Sequence, residues 1–145
     1  MSRLLKKKLI NCILMQGNKF SSEILFKNCL KHLTRKKNKK IKNFIFLAIN
    51  HALPTFKLET KTIKKKKTKL IKYKPFFIQK NKNRIFFSVK FIVNSARKES
   101  NNFFKSFNQE FVAISKRTSN SVSVKNKNQE QALLYQNVLL FYRWD

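Results

Sequence analysis

Nine lysines and a single carboxylate, Glu59, fall between Thr55 and Lys74. An ammonium group on a flexible stem binds phosphate as a point charge, so such a run is suited to holding a polyanion. Catalysis would need titratable groups that converge, and the supply is thin. The acids are Glu23, Glu59, Glu99, Glu110, Glu130 and Asp145, and no two share a predicted helix face at catalytic spacing. His32 and His51 stand alone in the chain and read as solvated helix residues. With one glycine, Gly17, there is no glycine-rich loop to cradle a nucleotide. Cys12 and Cys29 fall on separate predicted helices and read as core residues, because a zinc site or disulfide framework needs more ligands at tighter spacing. The residues therefore argue against an enzyme and imply neither a metal nor a cofactor.

The charge excess is not confined to that stretch. Across 145 residues, 34 Lys and Arg face 6 acids, for a formal net charge of +28. A free domain carrying that charge repels itself, so an anionic partner is expected. A hydrophobic content of 42% still provides for a core, and the length suits a single domain over residues 1–145. The longest apolar runs, around Phe44–Ile49 and Val138–Tyr142, fall far short of the roughly 20 residues that cross a bilayer. The basic start, Met1 to Lys8, has the composition of an organelle presequence. Cleavage there would orphan the next helix, so the start reads as a first helix instead. Lys, Asn, Phe and Ile abound, which are residues of A/T-rich codons, and the 15 Phe are correspondingly weak evidence for base stacking.

The basic stretch needs a body to carry it. Periodicity predicts a first helix over Arg3–Met15, with Leu5, Leu9 and Cys12 or Ile13 opposite Lys6, Lys7 and Lys8. Gly17 stands where a left-handed cap is needed, and Asn18 can cap a second helix over Phe20–Leu33. A basic loop, Thr34–Lys40, precedes a third helix over Ile41–Leu53, which Pro54 ends. Thr55–Ile63 and Lys69–Lys74 alternate like strands around Lys64–Lys67, with Pro75 closing the second, so an arm of about 55–78 is expected. Beyond the joint Gln79–Asn83, a fourth helix over Arg84–Lys98 turns Ile85, Val89, Ile92 and Ala96 inward and Lys90, Asn94 and Arg97 outward. A fifth over Phe103–Lys116 buries Phe104, Phe107, Phe111 and Ile114. Arg117–Lys127 reads as a polar loop, and a last helix over Asn128–Trp144 carries Leu134, Val138 and Phe141 on one side. The expected fold is mainly α: a six-helix bundle with an inserted basic β-hairpin arm between the third and fourth helices.

Two polyanions compete for such a surface. A DNA-coating, nucleoid-type protein is the alternative, since Lys90, Asn94 and Arg97 could imitate a groove-reading face. A long basic hairpin suits the irregular surface of folded RNA better. A membrane-binding role is disfavoured, because the helices carry core-type faces and the arm has no apolar wedge.

Element order and anchor residues favour RNA. Leu14-Met15-Gln16-Gly17-Asn18-Lys19 is similar to the turn between the first two helices of the bacterial-type small-subunit ribosomal protein seven family. Ala48 followed by Pro54-Thr55 matches the family's entry to its hairpin. Lys90-Phe91-Ile92-Val93-Asn94-Ser95-Ala96-Arg97-Lys98 resembles its fourth helix, Asn108-Gln109-Glu110 its fifth, and Tyr142-Arg143-Trp144 its close. The family's paired hairpin-tip glycines fall near Lys64-Lys65, and its glutamate-alanine-asparagine of the sixth helix is replaced near Leu134-Tyr135-Gln136. The resemblance implies a structural protein of the small-subunit head that binds the 3′ major domain of the ribosomal RNA. It further implies neighbouring head proteins as partners, with tRNA or mRNA near the exit site. By position it carries over RNA contacts at Arg3, Lys6, Lys7, Lys19, Lys57, Lys61, Lys64, Lys65, Lys66, Lys67, Lys69, Lys72 and Lys74. The same carry-over reaches Lys80, Lys82, Arg84, Lys90, Arg97, Lys116, Lys125 and Lys127. Set against the family pattern, the truncated start, the close after Tyr142-Arg143-Trp144 and the A/T-type composition favour a mitochondrial small subunit over a plastid one.

Overall fold

The computed structural model describes residues 3–37, 41–65, 68–99 and 102–135. Its elements follow in the order α1 (Arg3–Ile13), α2 (Lys19–Lys37), α3 (Ile41–His51), β1 (Phe56–Lys65), β2 (Thr68–Phe77), α4 (Asn81–Glu99), α5 (Phe103–Ser115) and α6 (Asn120–Leu134). The expected helical body with a hairpin between its third and fourth helices is what forms. The tip lysines Lys66 and Lys67, the residues Val138 and Phe141, and the closing Tyr142-Arg143-Trp144 lie outside the described residues.

Local chemistry sets the boundaries. Gly17 adopts φ +78°, the left-handed value that a side chain resists, and turns the chain out of α1. The Asn18 Oδ1 then accepts the Ser21 N–H at 3.2 Å, capping α2. Helix α2 runs on through Thr34 to Lys37, where a basic loop is expected. Lys and Arg are good helix formers, so a charge run need not break a helix. At the other end of the body, α3 stops at His51, short of the expected Leu53, because Pro54 biases its predecessor out of helical geometry.

Two further boundaries differ from expectation. Strand β2 passes through Pro75 to Phe77 and pairs Pro75 with Leu58. A two-stranded ribbon has only edges, so proline's missing donor can face away from the ladder at no cost. Helix α6 starts at Asn120, inside the expected polar loop, and therefore places Lys125 and Lys127 on a helix. Ser and Asn read as loop residues because their side chains compete for backbone groups. Here Ser119 uses that ability as a cap, its Oγ accepting the Val122 N–H at 3.3 Å.

One core gathers the helices. Leu9 and Ile13 of α1, Phe26 and Leu33 of α2, and Ile45 and Ile49 of α3 are buried with Val89 and Ile92 of α4. Phe107, Phe111 and Ile114 of α5 complete the cluster, the two rings meeting edge to face with centroids 4.9 Å apart. Each such side chain contributes about 1.5–3 kcal/mol by leaving water. Phe104, expected in the core, is only half-buried, and Leu134 is 80% exposed, so the expected apolar side of α6 is not covered there. Ser88 ties α4 to α3 from inside the core, its Oγ donating to the Ile49 carbonyl at 3.0 Å.

Candidate nucleic-acid interface

The arm is the most basic element and its register sets its electrostatics. Antiparallel pairing sets Lys61 opposite Lys72 and Lys64 opposite Lys69, with Lys65 opposite Thr68. Like charges at directly opposed positions disfavour a ribbon. One carboxylate intervenes: Lys57 Nζ lies 2.8 Å from the Glu59 carboxylate, in an exposed pair. Glu59 in turn is opposed by Lys74, whose ammonium sits over the Phe76 ring at 4.9 Å.

Alternation gives the arm a second, apolar face that roots it. Phe56, Leu58 and Tyr73 share a side with Pro75 and Phe77, and Phe56 meets Phe77 edge to face at 5.8 Å. Tyr73 faces Tyr135 just past the end of α6, with ring centroids 5.8 Å apart. Gln129 of α6 donates to the Thr55 Oγ1 at 3.0 Å, at the foot of β1. The root is thus held by ring contacts and one amide.

A second basic group lies on the seam between α1 and α4. Lys8, Lys90 and Arg97 all act electrostatically on the half-buried Cys12. Lys8 also donates to the Lys82 carbonyl, joining α1 to the first turn of α4. Spacing puts Lys8 on the polar side of α1, yet position in the family pattern does not select it. Its reach across to α4 appears only in three dimensions. Burial pushes the Cys12 thiol above its ordinary pKa against the opposing pull of those cations.

Several candidate cations already have protein partners. The Arg97 guanidinium donates to the Cys12 and Ile13 carbonyls at 3.1 and 3.3 Å, closing the C-terminal end of α1. The Arg84 Nε donates to the Pro54 carbonyl at 3.1 Å. Lys125 is half-buried and donates to the His51 carbonyl at 2.9 Å, at the C-terminal end of α3. Burial there pulls its ammonium below the ordinary lysine range, with Arg117 adding to the effect. Lys6, Lys7, Lys19, Lys80, Lys82, Lys90, Lys116 and Lys127 are exposed. They do not form a single stripe: Lys6 borders the α2–α3 side of the body, while Lys116 stands beyond α5 near α2. Arg3 belongs to the first turn of α1.

The residues expected to be inert are more engaged than their sequence suggests. Neither histidine is simply solvated. The His51 Nδ1 lies 3.1 Å from the Ile114 carbonyl, and the His32 ring packs edge-on against Phe104 at 5.6 Å. Cys29 is buried as expected, which pushes its thiol up to about 12. Glu110 is 1% exposed and its Oε1 accepts the Ser121 N–H at 3.0 Å, at the start of α6. Burial raises its pKa, and Glu99 adds to the rise. Glu99 also accepts from the Asn120 amide at 2.6 Å. Two of the few carboxylates therefore converge on one helix N-terminus, from α4 and α5, where the macrodipole favours an anion. No predicted helix carries both, so their meeting is tertiary. Their contacts are structural: each holds a group of α6.

Among the described residues no cluster of metal-ligating side chains occurs and no helix is long and apolar enough to cross a membrane. What the surface offers is cationic: a ribbon of lysines, a basic seam on α1 and α4, and further lysines spread round the body. No curated protein matches the chain. The family model described as "Ribosomal protein S7p/S5e" matches residues 1–133.

Proposed function

The chain belongs to the S7p/S5e family of ribosomal proteins, and on that premise we propose that it sits in the head of the small ribosomal subunit. Membership makes it a small-subunit protein that binds ribosomal RNA as a structural component, in translation, alongside other ribosomal proteins. In the finer reading it holds the 3′ major domain of that RNA, supports assembly of the head, and directs its arm toward the exit-tRNA site. A mitochondrial small subunit is the setting we infer, from the A/T-type composition.

The observation that carries this reading is the arm's register. Opposed lysine pairs at Lys61–Lys72 and Lys64–Lys69 make the ribbon self-repelling until an anion lies along it. Engagement of six to ten phosphates would make affinity fall by roughly three to five decades between about 50 and 200 mM salt. The decisive experiment titrates the full chain with head-domain ribosomal RNA and with bulk duplex DNA at one salt concentration. Preference for the RNA supports the assignment; equal affinities favour a nucleoid-type coat protein and remove the head placement. Fractionation of organelles, with small subunits sedimented at high salt, tests the mitochondrial setting.

A further inference from the structure

Helix α2 turns to solvent one ridge that none of the contacts described above uses. At about 3.6 residues per turn, Phe20, Ile24, Lys27, Lys31 and Arg35 fall within an arc of about 80° that runs for roughly 22 Å. All five are exposed, while Phe26, Cys29 and Leu33 of the same helix are buried on its opposite side. Phe20 is 73% exposed, and Ile24, its neighbour one turn on, is 41% exposed. Met15, just before the turn at Gly17, is exposed as well. Large apolar side chains that stand together in water, directly away from the core, mark a surface that another molecule covers.

The rest of the ridge is cationic and uncommitted. Among the described residues Lys27, Lys31 and Arg35 make no ion pair or side-chain hydrogen bond, unlike Arg97 and Lys125. Glu23, the one acid of α2, stands half-buried at the edge of the arc. Exposed rings on α3 and α4 lack this setting. Phe46 shares its outward side with one lysine, Lys42, and with Asn43 and Asn50. Phe86 leans on the Phe87 ring beside the basic seam already described. An occupant of the α2 ridge therefore offers apolar side chains at one end and negative charge along the remainder. A phosphate backbone would meet the cations but set charged oxygens against Phe20 and Ile24, at a cost in desolvation. A second copy of this chain, at +28, would bring like charge. A helix with both apolar and carboxylate side chains on one face satisfies the two ends together.

We propose that the outward ridge of α2 seats an acidic amphipathic helix of a neighbouring small-subunit protein, its apolar side chains on Phe20 and Ile24 and its carboxylates along Lys27, Lys31 and Arg35. The apolar pair anchors the contact, since aromatic and aliphatic side chains at an interface carry most of its energy. The three cations set the direction and register of the incoming helix and exclude a basic one. The proposal rests on the reading of the chain as a small-subunit protein.

The test uses small subunits that contain the full chain, treated with a carbodiimide, which joins an amine to a carboxylate only where the two touch. Peptide mapping by mass spectrometry should find Lys27 or Lys31 joined to Asp or Glu of another subunit protein. Phe20→Ala with Ile24→Ala keeps both amines, so a merely solvated ridge would give the same yield of that product. Seating on the apolar pair predicts a yield at least about fivefold lower. Both residues are exposed, so the melting temperature of the free variant and its affinity for head-domain RNA should match the wild type. An unchanged yield in the variant, or lysines joined to nothing beyond Glu23, would overturn the assignment and leave the ribosomal reading standing. Ultraviolet adducts joining Phe20 to a nucleotide would overturn it too, in favour of RNA on this ridge. Absence of the chain from small subunits would remove both readings.

Discussion

Glu110 permits a prediction in which the sign, and not only the size, is at stake. Its side chain is 1% exposed and accepts the Ser121 N–H at 3.0 Å, so Glu110→Ala orphans a buried donor at the start of α6. A hydrogen bond to a charged group is worth about 1.5–3 kcal/mol, and the one lost methylene adds about 0.8 kcal/mol. The expected loss is about 2–4 kcal/mol, or a fall of roughly 10 °C in Tm for a domain of this size. Glu110→Gln should behave differently. It keeps the acceptor and the volume and removes only the charge. Two effects oppose each other there: the helix N-terminus favours the anion by up to about 2 kcal/mol, and desolvation disfavours it. The pKa of Glu110 is raised above its ordinary 4.5, with burial the leading cause, so desolvation wins. An acid with a raised folded pKa contributes stability that is fully present below its unfolded pKa and lost as pH rises through the folded one. The wild type should therefore lose ground to Glu110→Gln from about pH 4.5 upward, and the variant should be at least as stable at pH 7. Urea unfolding of the full chain, followed by far-ultraviolet circular dichroism at pH 4 and pH 7 in matched salt, reads the difference. If Glu110→Gln is the less stable at pH 7 by more than about 1 kcal/mol, the helix terminus outweighs desolvation and the reasoning is wrong.

Four other outcomes follow from contacts already described. Arg97→Ala should lower stability by about 1–2 kcal/mol in thermal melts without RNA, because two carbonyls at the end of α1 lose their donor. With RNA present, neutralising Lys90 and Arg97 together should weaken binding more than deleting Lys64–Lys67, and filter binding of both variants at one salt concentration would expose the reverse order. Lys125→Ala should cost stability more than RNA affinity, since its ammonium is committed to the His51 carbonyl; Lys90→Ala should show the opposite balance in paired melting and binding measurements. In the folded protein at about pH 8, iodoacetamide should label Cys12 slowly and Cys29 hardly at all, the latter thiol being pushed up to about 12; rapid labelling of Cys29 counted by mass spectrometry would show that the core opens.

The helical body was legible because its apolar residues recur at helical spacing and its stops are chemical: Gly17 after α1 and Pro54 after α3. Misreadings cluster where polar residues had two uses. Thr34 to Lys37 is helix because lysine propagates a helix whatever its charge, and Ser119 starts α6 where a serine-rich stretch suggested a loop. For the surface, composition was enough to identify a polyanion binder, and position in the family pattern supplied candidates. Neither could tell an outward lysine from an inward one. That Lys125 turns to a carbonyl while Lys127 stays exposed depends on where α3 ends. The pairing of Glu99 and Glu110 on α6 was equally invisible, because it joins two helices to the start of a third.

The footing of the ribbon carries a mechanical corollary. Its foot is clasped by Phe56, Phe77 and Thr55, and its flank leans on Tyr135 at the far end of a rod whose opposite end is clamped by Glu99 and Glu110. That rod works as an outrigger. The ribbon and the rod are therefore joined, so a displacement of the rod near Tyr135 would be felt by the lysine blade.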